Sequence, residues 1–169
     1  MLKLLFLIPK RSRGFTLIEL LVTVAVLAIL LAIAVPSFTQ QIQSGRAQMA
    51  ADGLKRTVTN ARSIATQTGK RTTLTLKGSV TGCADAAWVI TQKSPSASNP
   101  DAVTVLGCLT QNDFSKRYEG ATLEGADAQS LVFLPTGIAS NTDSLTYTFT
   151  SGRTSKTLTI NAGGSVNVL

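Results

Sequence analysis

The sequence predicts an α+β protein: one long N-terminal α-helix packed on a small antiparallel β-sheet domain. Three observations lead there. Apolar residues run almost unbroken from Phe15 to Val35, the chain after Pro36 shows helical spacing, and from Arg71 onward the hydrophobic period changes to two.

The first element is the apolar run. "LLVTVAVLAILLAIAV", Leu20 to Val35, has Thr23 as its only polar side chain. Counted from Phe15, the run reaches the ~20 residues a helix needs to span a bilayer. Lys3, Lys10, Arg11 and Arg13 precede it and no basic residue lies within it. That asymmetry predicts an N-terminus on the cytoplasmic side and the remainder outside the inner membrane. The boundaries expected are a leader over 1–14, a transmembrane helix over 15–36 and an extracytoplasmic domain over 37–169. A competing reading is an ordinary secretory signal, with Ala32-Ile33-Ala34 as its cleavage site and a soluble domain starting at Val35. The length of the run argues against it, and so does Glu19, a carboxylate with no role in such a signal.

The second element continues the helix. Between Ser37 and Lys70, the residues Phe38, Ile42, Met49, Leu54, Val58, Ala61 and Ala65 recur mostly at the spacing of one helical face. Helical patterning resumes directly after Pro36, so the proline bends the helix rather than ending it. Gly45 and Gly53 weaken the helix locally, and Gly69 is the expected stop, giving a helix from Phe15 to about Gln67.

The third element is a set of short strands. "TTLTLK", "AWVITQ", "LVFL", "LTYTFT", "KTLTIN" and "SVNVL" alternate apolar with small polar residues and are separated by Gly, Ser, Asn and Pro. Leu145, Tyr147 and Phe149 alternate with threonines, as in a half-buried strand, and "SGRTSK" leads to the next strand as a hairpin turn. "QKSPSASNPDA" reads as a loop.

Composition limits the chemistry. The chain of 169 residues carries a net charge of +7, which permits a polyanionic partner without requiring one. The two cysteines, Cys83 and Cys108, point to a disulfide in an exported chain, with two buried free thiols as the alternative. With residues 84–107 between them, closing the loop contributes roughly 3–4 kcal/mol in the chain-entropy model. The pair would tie together the two ends of the "QKSPSASNPDA" loop. There is no histidine, so the commonest general base and zinc ligand are both missing. "TGKRTT" is not a phosphate-binding loop, since Ile64 stands where its first glycine belongs and Arg71 replaces the Ser/Thr. No G-x-S-x-G elbow occurs and the acidic residues are scattered. The sequence predicts neither an enzyme nor a cofactor or metal.

The opening stretch gives the specific signal. A basic leader, then Gly14, Phe15, Thr16, Leu17, Ile18 and Glu19, then an apolar helix, resembles the class III signal of type IV pilins and type II secretion pseudopilins. The resemblance implies cleavage by the prepilin peptidase after Gly14 and N-methylation of Phe15. It also implies a role for Glu19 in aligning subunits during assembly, and a pilin-like fold. Physics supplies a reason for that carboxylate: an ionised acid within a membrane helix costs roughly 2.5–3.5 kcal/mol, so it seeks a partner. The new N-terminal amine of a neighbouring subunit would be one. The alternative is that Glu19 lies at the membrane edge and reaches water.

The remainder resembles the FimT/GspH group of minor pilins, through "LVFLPTG" (Leu131 to Gly137) and a C-terminal hairpin carrying Gly152-Arg153. Some FimT-like proteins act in DNA uptake through a Gly-Arg-x-Arg motif. Here the stretch reads Gly152-Arg153-Thr154-Ser155-Lys156, without the second arginine and with a lysine one place later.

Two functions follow from the resemblance. One is a structural subunit that helps assemble or prime a filament, with other pilin or pseudopilin subunits, the prepilin peptidase and the inner membrane as partners. The other is a DNA-binding subunit using Arg153, Lys156, Lys70, Arg71, Lys116 and Arg117. The same leader and helix serve type IV pili and type II secretion, so the sequence does not separate them.

Overall fold

The computed structural model describes residues 14–94, 102–141 and 143–169. The leader cations Lys3, Lys10, Arg11 and Arg13, and residues 95–101 of the expected loop, lie outside these residues. The chain divides into two compact units, one ending at Phe38 and the other running from Thr39 to Leu169.

Helix α1 spans Leu17–Thr68 and continues through Pro36, Gly45 and Gly53. It stops where Gly69 takes φ +64°, a left-handed conformation that suits a residue without Cβ. In the first unit its apolar side chains are exposed, Ile33 to 70% and Leu20 to 64%. A helix that is apolar on every side and uncovered needs lipid or other helices around it.

In the second unit α1 buries one face: Ala47, Ala50, Ala51, Leu54, Val58, Ala61 and Ala65. This corrects the expected stripe. Leu54, Val58, Ala61 and Ala65 are buried, but Ile42 and Met49 point outward, as does Phe38 in the first unit. The series 47, 51, 54, 58, 61, 65 advances by alternating steps of four and three, which keeps it on one face. Met49 is two residues from Ala51, about 200° around the helix. Alanine brings little apolar area but lets the helix approach the sheets closely.

Eight strands and a short helix follow. The first sheet has β1 (Thr72–Val80), β2 (Cys83–Lys93), β3 (Val103–Thr110) and β5 (Gln129–Phe133) in the order β3-β2-β1-β5. The second has β4 (Thr122–Gly125), β6 (Leu145–Ser151), β7 (Thr154–Ile160) and β8 (Val166–Val168) in the order β4-β6-β7-β8. All pairs are antiparallel. The expected antiparallel β domain is therefore built from two four-stranded sheets. Helix α2 (Gln111–Arg117) connects them in sequence.

One core joins these pieces. Leu54 and Val58 of α1 share it with Leu74, Leu76, Leu131 and Phe133 of the first sheet and Tyr147, Phe149, Leu158 and Ile160 of the second. The expected alternation in β6 holds, with Tyr147 and Phe149 buried and Thr146 exposed. Lys77 ties the sheets at their margin: its ammonium donates to Gly125 O at 2.9 Å and pairs with Asp127 at 2.8 Å.

The segment "QKSPSASNPDA" begins in strand rather than loop. Gln92 is buried at the end of β2, where its amide donates to Thr68 Oγ1 at 2.6 Å and Thr72 Oγ1 at 2.9 Å. Cys83 and Cys108 are joined, with Cα atoms 6.1 Å apart. They do not clasp the loop. Lys93 pairs with Val103 at the loop end of the β2–β3 hairpin, whereas Cys108 pairs with Val89 and Cys83 opens β2 at the opposite end. Because "VTVLGCLT" is itself a strand, it carries Cys108 away from the loop.

Candidate functional site

The first site is the start of α1. Thr16 precedes the helix, and its main-chain N–H donates to Glu19 Oε2 at 2.9 Å. Its hydroxyl donates to the same oxygen at 3.0 Å and accepts from the Glu19 N–H at 3.3 Å. This is a capping box, in which each residue satisfies a backbone donor that the first helical turn leaves free. Thr16-x-x-Glu19 is visible in the sequence as that signature, a signal the sequence reading left unused. Glu19 Oε1 makes no hydrogen bond among the described residues. Gly14 has nothing within 4 Å of where a Cβ would stand, and Phe15 is 90% exposed. Among the described residues nothing crowds position 14.

The second site is the β6–β7 hairpin. Ser151 pairs with Thr154, leaving Gly152-Arg153 as a two-residue turn. Gly152 has φ +57°, and a Cβ there would run into the Gln43 side chain of α1. The Arg153 N–H donates to Gln43 Oε1 at 3.2 Å, so the tip is fixed to the helix while the guanidinium is exposed. Arg153 and Lys156 do not share a face. Lys156 pairs with Phe149 and lies two residues from Leu158, on the core side of the strand, where it is half-buried.

The other candidate cations lie elsewhere. Lys70 and Arg71 are exposed just past the end of α1, roughly 40 Å along the helix from Gln43 at 1.5 Å per residue. Lys116 and Arg117 sit in the last turn of α2, where they complement its dipole. Thr110 caps that helix through Asp113 N at 3.1 Å, and its hydroxyl donates to Asp113 Oδ2 at 2.9 Å. Lys70 and Arg71 thus lie far along α1 from the hairpin, whereas α2 is followed by Glu119, which pairs with Arg46 one turn of α1 from Gln43.

No group of three or more metal-ligating side chains occurs among the described residues. A groove beside α2, not legible in the sequence, is lined by Met49, Asp52, Gly53, Arg56, Trp88, Arg117 and Tyr118 among others. Its residues are far apart in the chain, and the one local signal that could have pointed to α2 is the capping pattern Thr110-x-x-Asp113.

Residues 9–35 match the prokaryotic N-terminal methylation motif, and residues 50–164 match the type II transport protein GspH family. The chain belongs to the GspH family. It is a minor pilin or pseudopilin, in a family of structural subunits rather than of known enzymes. GspH-family membership with the methylation motif implies assembly with other pilin subunits and processing by prepilin peptidase. No characterised protein sequence matches the chain. A solved structure similar to this GspH-family chain is the type IV minor pilin FimU of Pseudomonas aeruginosa. It shows 16% identity and a TM-score of 0.48, over 78% of this chain and 92% of that one.

Proposed function

We propose that this chain is a minor subunit of a type IV pilus or type II secretion filament that acts in filament assembly or priming. In this reading it is cut after Gly14, methylated at Phe15 and held in the inner membrane by residues 15–36, with the domain in the periplasm. The observation that carries it is the uncovered apolar surface of α1 from Leu17 to Val35, with one carboxylate at its start. None of the described residues of the first unit buries that surface, so lipid would hold it before assembly and neighbouring helices after.

The capping box supports a part for Glu19 on both occasions. Before assembly, Thr16 occupies Oε2 and offsets some of the cost of a carboxylate at the membrane. Oε1 remains for the N-terminal amine of a neighbouring subunit. The crowding-free position of Gly14 supports recognition by an outside agent, the peptidase, as the reason for a glycine there.

Immunoprecipitation of the tagged chain from detergent-solubilised membranes of its native host tests this. Wild type is expected to bring down another prepilin-type subunit. Glu19→Leu is expected to remain in the membrane but lose it. Recovery of the same subunits with Glu19→Leu would refute the role given to this residue.

A second reading, DNA binding, rests on one observation: Arg153 projects from a turn whose backbone is fixed to Gln43 and makes no ion pair among the described residues. Such a cation can meet a phosphate without reordering the loop. It is a weaker site than the sequence predicts, because Lys156 lies on the other face of the strand.

A further inference from the structure

The groove beside α2 has a built architecture that the filament reading does not use. Its volume is about 470 Å³. Tyr118 forms one wall and stands so close to α1 that any Cβ at Gly53 would strike its hydroxyl. That wall is held by a cluster of rings: Phe114 and Tyr118 lie 4.8 Å apart at a tilt, and Trp88 meets Phe114 edge-on at 5.4 Å. Trp88 also lines the groove, and Met49, 57% exposed, stands on α1 at its rim. The aromatic wall and the methionine together make an apolar seat.

The charges around the seat are unbalanced. Arg56 and Arg117 both line it, one from each helix, and neither makes an ion pair among the described residues. The neighbouring acid Glu119 is already paired with Arg46. Among the described residues Asp52 is the only carboxylate lining the groove, and it accepts from Gln48 Nε2 at 3.4 Å. Two guanidinium groups therefore face one carboxylate, leaving one positive charge unmatched. Arginine suits a planar carboxylate because its fork donates two parallel hydrogen bonds.

We propose that this groove docks a segment of a neighbouring pilin-type subunit that presents an apolar side chain beside an Asp or Glu. The apolar group would sit on Met49, Trp88 and Tyr118 while the carboxylate meets Arg56 and Arg117. The proposal rests on the filament-subunit reading. The groove lies on the helix that carries the membrane anchor, so a docked neighbour would be held by its domain as well as by its apolar helix. The charge pair would then select which subunit fits.

The test uses the full-length chain in the membranes of its native host, with p-benzoylphenylalanine placed at Met49 and, in a separate strain, at Leu27. After irradiation, the Met49 probe is expected to yield an adduct with a second prepilin-type subunit, mapped to a peptide with an acidic residue near the attachment point. Arg56→Gln with Arg117→Gln is expected to lower that yield roughly tenfold, the effect of removing a charge-assisted contact. The Leu27 adduct should be unchanged by the same pair of substitutions, which also shows that the variant folds and assembles. A Leu27 adduct without a Met49 adduct overturns the groove proposal and leaves the filament reading intact. Absence of both adducts overturns the two together. A nuclease-sensitive Met49 adduct, or one unaffected by the arginine substitutions, overturns the proposed partner.

Discussion

The Arg153 N–H donates to Oε1 of Gln43 across 110 residues of chain, fixing the tip of the β6–β7 hairpin to α1. Gly152 makes this approach possible, since its φ of +57° and its missing Cβ leave room for the glutamine. Gly152→Ala is expected to cost about 1–2 kcal/mol from the left-handed backbone, and the lost hydrogen bond adds to it. Chemical denaturation of Gly152→Ala, Gln43→Ala and the double variant reads the coupling. The double variant should lose less than the sum, because removing Gln43 relieves the collision but not the backbone strain.

The cleavage site gives the next prediction. The mature protein from its native host is expected to begin at methylated Phe15, as read by intact mass. Gly14→Ala is a mild change, whereas Gly14→Glu should leave the precursor uncut. A mature chain beginning at Val35 would mean an ordinary secretory signal and would overturn the filament assignment.

Reduction of Cys83–Cys108 is expected to destabilise the domain by roughly 3–4 kcal/mol, since the bond closes a long loop in the unfolded chain. Urea unfolding with and without reductant measures the difference, and non-reducing peptide mapping checks the pairing. Joining β2 to β3 at the end remote from their loop, the bond also limits fraying of the open edge strand β3.

Tyr147 gives a pH prediction. Burial raises its phenol above the ordinary value, and the charge of Asp127 raises it further. The folded state thus holds its proton at pH values where the unfolded state has lost it. Stability from this group is full below pH about 10 and falls as pH rises beyond, by no more than about 1.4 kcal/mol per unit. Tyr147→Phe removes that component, so its stability curve should be flatter above pH 10 than that of wild type. Equal slopes would show that Tyr147 is not the group responsible.

Binding to DNA is the sharpest check on the hairpin. The full chain in detergent micelles, titrated with duplex DNA, is expected to bind weakly, with a log–log salt slope near −0.9 per phosphate met. Arg153→Gln should reduce binding more than Lys156→Gln, because Lys156 lies on the core side of β7. No salt-sensitive binding, or equal binding by Arg153→Gln, removes the turn as a DNA site.

The long helix, its stop at Gly69, the continuation through Pro36 and the alternation of β6 were all legible in the sequence, because each depends on residues close in the chain. Backbone conformation at a glycine, period along a segment and the capping box Thr16-x-x-Glu19 are local properties. The order of glycine, aromatic residue and carboxylate before an apolar run was equally local. Tertiary structure alone decided what depends on distant partners. It buried Ala47, Ala50 and Ala51 and left Met49 and Ile42 outside, because closeness of approach to the sheets outweighs the apolar area of a single side chain. It divided the strands between two sheets and moved the disulfide to the far end of its hairpin. It put Lys70 and Arg71 far along α1 from Arg153, and it brought Arg56 and Arg117 to one groove where Tyr118 stands against Gly53.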